Sequence, residues 1–148
     1  MIEIQPLPES ALLANIEIIS ATVEAIQEIA PNDGNKMVEY LSQITAVQSM
    51  CSETQASIKY YLLRLQGEVL DAMLKSQIEG HKTKSSEIVR LNIPPTTAKM
   101  FAHTRCKDYE YLYEKIERLS RNVSHTIDSV RTMISFAKSE FTNSQYQK

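Results

Sequence analysis

Turn-forming residues are scarce in this chain of 148 residues, which holds only 3 glycines and 5 prolines. Four of the prolines fall in two pairs, Pro6 with Pro8 and Pro94 with Pro95. So few breakers leave little room for the turns that a sheet protein needs. The one alternating stretch, residues 1–5, is too short to form a stable sheet alone. We therefore predict an all-α chain.

Long apolar runs and cysteines are also scarce. No apolar run approaches the ~20 residues that span a bilayer, and no basic region precedes an apolar core at the N-terminus. The two cysteines, Cys51 and Cys106, are too few for a disulfide framework. These absences favour a soluble, cytoplasmic protein that has no membrane partner.

Apolar residues recur at helical spacing in three segments, which together predict a single helical domain. Helix one covers 9–30 and ends before Pro31, helix two covers 35–80 and stops at Gly80, and helix three covers 96–142. Thr96 or Thr97 is the expected cap of helix three. Residues 1–8 and 143–148 are predicted tails, and 81–95 is a basic linker.

Each predicted helix carries a continuous apolar stripe. The spacing in helix three stays close to 3.5 residues, which is typical of coiled coils. The predicted stripes comprise Leu12, Ile16, Ile19, Val23, Ile26 and Ala30 in helix one, Met37, Leu41, Ile44, Val47, Cys51, Thr54, Ile58, Tyr61, Leu65, Val69 and Ala72 in helix two, and Phe101, Arg105, Tyr109, Leu112, Ile116, Leu119, Val123, Ile127, Val130, Ile134, Ala137 and Phe141 in helix three.

The lengths of the segments suggest an architecture. Helices two and three each measure about 70 Å and helix one about 33 Å. A linker of fifteen residues favours a long antiparallel hairpin of helices two and three. In this hairpin, the numbers of two residues that face each other across the helices add up to about 176. Helix one would then complete a three-helix bundle at one end and leave a two-helix arm at the other. Six apolar residues lie off the stripe of the arm, and they suggest dimerisation into a larger bundle: Leu62, Leu63, Leu70, Met73, Leu74 and Ile78.

Positive charge is concentrated around the linker. Residues 75–107 carry seven cations against Glu79 and Glu87, a local net charge of +5, whereas residues 1–30 carry five Glu and no Lys or Arg. Such a cluster creates a local field that attracts an acidic partner, although a solvated loop explains it equally well. The predicted nucleic-acid-binding residues are Lys75, Lys82, Lys84, Arg90, Lys99, Arg105 and Lys107.

A group of tyrosines lies near this cluster in the predicted hairpin. Planar rings beside cations suit a single-stranded nucleic acid, because bases stack on rings and phosphates pair with cations. Several of these tyrosines also fall on or beside the apolar stripe, where a ring simply fills space. The candidate stacking or interface residues are Tyr60, Tyr61, Tyr109, Tyr111 and Tyr113.

Catalytic and metal-binding patterns are weak. His103 and Cys106 have the spacing of two metal ligands, but no further ligand pattern accompanies them. Cys51 comes level with His125 in the predicted hairpin, yet regular helix backbone has no free amides to form an oxyanion site. We therefore expect no enzyme activity, no metal and no cofactor.

Two functions follow as hypotheses. The first is a non-enzymatic accessory protein that, as a dimer, binds single-stranded nucleic acid through its basic tip. The alternative is a protein–protein adaptor or a structural bundle that binds no nucleic acid.

Overall fold

The computed structural model describes residues 5–28, 34–82, 88–89 and 92–146. The described chain forms three α-helices and one short strand pair. The elements are α1 (Glu9–Gln27), α2 (Gly34–Ile78), β1 (His81–Lys82), β2 (Ile88–Val89) and α3 (Pro95–Tyr146). The predicted helical class is therefore confirmed.

Helix α1 starts directly after Pro8, whose extended backbone carbonyl accepts a 2.9 Å hydrogen bond from the Ala11 amide. Its described turns end at Gln27, with Glu28 as the C-cap. The predicted end at Ala30 lies outside the described residues. Proline suits this N-terminal boundary because it has no amide hydrogen that would need a partner.

The other helix ends follow from glycine and proline chemistry. Helix α2 is followed by Gly80 at φ 71°, a left-handed conformation that glycine adopts without a steric penalty. Pro95 is the first residue of α3, and the Pro94 carbonyl accepts a 3.0 Å bond from the Ala98 amide. The expected threonine cap therefore lies one residue or more inside the helix. Helix α3 also extends to Tyr146, beyond the predicted end at residue 142.

The linker contains a short strand pair. β1 and β2 pair antiparallel, with His81 opposite Val89 and Lys82 opposite Ile88. Residues 83–87 and 90–91 of the predicted linker lie outside the described residues.

The chain divides into two compact units, and α2 and α3 each contribute to both. The first unit, Met1–Ser57 with Glu114–Lys148, holds most of the buried residues. All three helices contribute to this core, as a helical bundle requires. Its buried apolar residues are Leu12, Ile16, Ile19, Val23 and Ile26 from α1, Met37, Ile44, Val47 and Cys51 from α2, and Ile116, Val123, Ile127 and Val130 from α3. Every one of them belongs to a predicted stripe.

Two hydrogen bonds connect α2 to the N-terminal part of the first unit. Asn15 Nδ2 donates to the buried Thr54 Oγ1 at 3.2 Å. The Leu7 amide donates to Oγ of the buried Ser57 at 3.0 Å, so the segment before α1 is also held against α2. Pairing these hydroxyls inside the bundle avoids the cost of burying an unsatisfied polar group.

The second unit, Ile58–Tyr113, joins the end of α2 to the start of α3. The Tyr61 and Tyr109 rings stack 5.9 Å apart, and Gln77 Nε2 donates to the Ile93 carbonyl at 3.2 Å. The residue numbers of the Tyr61–Tyr109 pair total 170, six below the expected total of about 176. Ile93 precedes α3, so the Gln77–Ile93 bond holds the end of the linker against α2.

The buried stripe of α3 also shifts in this unit. Cys106 is fully buried, whereas the predicted stripe residues Phe101 and Arg105 are exposed. A helix of 3.6 residues per turn drifts against a strict 3.5-residue pattern, so a stripe extrapolated along many turns fails first near an end.

Candidate interaction surface

The cations that the sequence singled out are spread along two helices. Lys75 lies in the last turn of α2, and Lys99, Arg105 and Lys107 lie in the first turns of α3. All four are exposed. Lys82 belongs to β1, while Lys84 and Arg90 lie outside the described residues.

Arg105 lies at the edge of a groove rather than in an apolar core. Its guanidinium carbon lies 5.2 Å from the centre of the Phe101 ring, the geometry of a cation–π contact. Both side chains line a groove of about 730 Å³ within the second unit. Three further lining residues are polar, namely Glu68, Ser76 and Thr97. The others are apolar: Leu65, Val69, Ala72, Met73 and Ile93.

Carboxylates lie among the cations of α3. His103 Nδ1 lies 2.6 Å from Glu110 Oε2, and Glu110 is half-buried. Asp108 and Glu114 are exposed on the same helix. These negative groups reduce the positive potential along this stretch, because Asp108 is next to Lys107 in the sequence and Glu114 lies 3.8 Å from Arg118.

Three of the candidate tyrosines contact one another. Tyr60 meets the edge of Tyr61 at a centroid distance of 5.6 Å, and Tyr61 stacks on Tyr109 at an interplanar angle of 22°. All three rings are half-buried. Tyr113 is half-buried as well, and Tyr111 is exposed. The contacts favour the packing interpretation for Tyr61 and Tyr109, whose ring faces lie against each other.

Four large aliphatic side chains of α2 are exposed in the second unit. Leu63, Leu70, Leu74 and Ile78 are 56%, 47%, 52% and 69% exposed. At about 100° per residue they fall within an arc of about 80°, roughly opposite to the half-buried Leu65 and Val69. We call these four residues the outer face of α2. Two of the six apolar residues that suggested dimerisation are not part of it, since Met73 is buried and Leu62 is half-buried.

A second exposed apolar stretch occupies the end of α3 in the first unit. Phe136 and Phe141 are exposed, and both line an open groove of about 780 Å³ with Met133 and Ala137. The sequence placed Phe141 on the buried stripe. The sequence gave no sign that Phe141 would be exposed, because an apolar stripe keeps the same period where it extends beyond the packed helices.

The two thiols are buried. Burial raises the pKa of the Cys51 thiol, and burial together with the nearby Glu110 carboxylate raises the pKa of Cys106. Both shifts oppose formation of the reactive thiolate. His125, expected level with Cys51, is exposed and lines a different cavity of about 400 Å³ with Ile26 and Met133.

Among the described residues, no three histidine, cysteine or acidic side chains gather as metal ligands would. None of the described helices combines the length and apolarity needed to cross a bilayer. Comparison with known proteins found no matching family, no similar curated protein and no similar solved structure.

Proposed function

We propose that this protein is a non-enzymatic helical interaction protein, which works by burying exposed apolar helix faces against other protein helices. The outer face of α2 is the observation that carries the proposal. Four large aliphatic side chains, each about half exposed or more, together present roughly 400 Å² of apolar surface along one side of the helix. Patches of this size on soluble proteins are frequently functional.

The state of the thiols supports a role other than catalysis. A cysteine nucleophile needs a lowered pKa and access to substrate. Cys51 and Cys106 have raised pKa values and are buried. They contribute to helix packing instead, as small apolar side chains do.

The proposal includes an antiparallel pairing of α2 and α3 along their full lengths, and association of two chains. The stacked rings of Tyr61 from α2 and Tyr109 from α3 support the first part within the second unit. The outer face supports the second, because a two-helix arm leaves one of its faces without cover.

The test is quantitative affinity capture with the full chain and a variant carrying Leu63→Gln, Leu70→Gln and Leu74→Gln. We expect the variant to keep the helicity of the wild type and to lose specifically captured proteins. The matched control changes three exposed apolar residues of the first unit, Leu13→Gln, Ile18→Gln and Val38→Gln. Equal capture by all three forms would refute a role for this face in binding other proteins.

Single-stranded nucleic-acid binding is the second candidate function. The net charge of +5 over residues 75–107 favours it, because phosphate contacts supply most non-specific affinity. In this candidate function, a base stacks on the exposed Tyr111 ring and its phosphate binds the nearby cations. The net charge of −2 for the whole chain limits such binding to this region.

A labelled oligonucleotide titrated over a range of salt concentrations tests this candidate. Four phosphate contacts predict a slope of log affinity against log salt of about −3 for a single strand. Lys75, Lys99, Arg105 and Lys107 changed to Glu should abolish the binding. The control changes four cations elsewhere: Lys36, Arg118, Arg131 and Lys138. A salt-insensitive or undetectable interaction would remove the candidate.

A further inference from the structure

The outer face of α2 has a charge pattern along one edge. Arg64 and Asp71 lie seven residues apart and are both exposed, so they border the same edge of the face at nearly the same angle. Arg64 Nε also contacts Glu68 Oε1 at 3.0 Å within its own helix. Glu68 and Lys75 lie farther round the helix, away from the apolar residues.

A second copy of α2, running antiparallel, matches this pattern. With a two-fold axis near residues 68–69, Leu63 of one copy lies opposite Leu74 of the other, and Leu70 lies opposite Gly67. Arg64 of one copy then lies beside Asp71 of the other, and the symmetry repeats this contact. In a two-fold interface, when residue i of one copy contacts residue j of the other, residue j of the first copy also contacts residue i of the second. A parallel two-fold pairing would instead place the charged edges of the two copies on opposite sides of the interface, so Arg64 of one copy would not meet Asp71 of the other.

Gly67 lies within the face and leaves open space. Apart from its chain neighbours and the nearby backbone of its own helix, no atom lies within 4 Å of the position that a Cβ atom would occupy. Glycine inside a helix costs about 1 kcal/mol relative to alanine, and nothing within one chain uses the space. A leucine side chain from a second copy can enter it.

We infer that the outer face of α2 is a homodimer interface, in which two copies pair antiparallel through Leu63, Leu70 and Leu74 and exchange Arg64–Asp71 contacts. The inference rests on the proposed interaction role and names its partner as this same chain. A face of roughly 400 Å² per chain is about half of a standard interface, so we expect a weak dimer that dissociates on dilution.

Charge exchange tests the pairing by sedimentation equilibrium of the full chain at low salt. Arg64→Asp or Asp71→Arg alone should weaken the dimer about tenfold, since each change makes both symmetric contacts repulsive. An equimolar mixture of the two variants should restore association, because the heterodimer has opposite charges at both contacts. Only an antiparallel pairing predicts this rescue.

The control is Arg121→Asp, because Arg121 Nη2 makes a similar 3.0 Å contact with Glu117 Oε1 one turn away. It should lose an intrahelical ion pair and leave the dimer unchanged. A wild-type chain that stays monomeric at tens of micromolar, or a mixture that fails to associate, would overturn the inference.

The capture experiment separates this failure from failure of the proposed role. A monomeric chain whose capture of other proteins still depends on the leucines refutes only the homodimer. A rescued dimer whose leucine variant captures the same proteins as wild type refutes only the role with other partners.

Discussion

The packing of α1 gives the sharpest test of the first unit, because this helix carries the same residue type on two faces. Ile16 is 1% exposed and Ile18 is 49% exposed. Ile16→Ala and Ile18→Ala change helix propensity equally. Any difference between the two variants therefore reports burial.

The expected magnitudes differ clearly. Truncating a fully buried isoleucine to alanine costs about 2–5 kcal/mol, from lost transfer energy and the cavity that remains. For a chain of this length the melting temperature should fall by roughly 5–15 °C. Ile18→Ala should cost about 1 kcal/mol or less, because half of its side chain already contacts water.

The assay is thermal and urea unfolding of the full chain, followed by far-UV circular dichroism. Each variant is measured at two protein concentrations, because association raises the melting temperature in a concentration-dependent way. Leu12→Ala and Leu13→Ala provide a second matched pair, at 1% and 56% exposure. If the buried and exposed variants of both pairs were equally stable, α1 would not pack through this stripe.

Three further results are expected. A double-mutant cycle with Tyr61→Leu and Tyr109→Leu should give a coupling free energy of about 0.5–1.5 kcal/mol in urea unfolding, and a coupling near zero would contradict the ring stack. Ser57→Ala should speed hydrogen exchange at the Leu7 amide, measured by NMR, because it removes the hydroxyl that accepts this donor, and unchanged exchange would count against that contact. Burial raises the pKa of the Cys51 thiol above its ordinary value of 9.0, so the contribution of this thiol to stability is complete below about pH 8 and decreases as the pH rises further. The difference in unfolding free energy between wild type and Cys51→Ala should therefore shrink at high pH, by up to about 1.4 kcal/mol per pH unit. A difference that stays constant with pH would refute the shift.

Most of the correct predictions from the sequence depend on local chemistry. Pro8, Gly80 and the Pro94–Pro95 pair act on their own backbone and nearest neighbours, so the helix ends lie close to them. The five buried residues of α1 follow a period of 3.6, which a short helix keeps without drift. The helical class and the core of the first unit could therefore be predicted from the sequence alone.

Only the tertiary structure decided the details of packing in the second unit. The predicted stripe of α2 already separated Leu65 and Val69 from the exposed Leu70 and Leu74, but it left out Met73, which is buried. The register of α2 against α3, the burial of Cys106 and the exposure of Phe101 depend on contacts between segments far apart in the chain. A repeating pattern allows several such pairings of similar energy, and side-chain packing in three dimensions selects one.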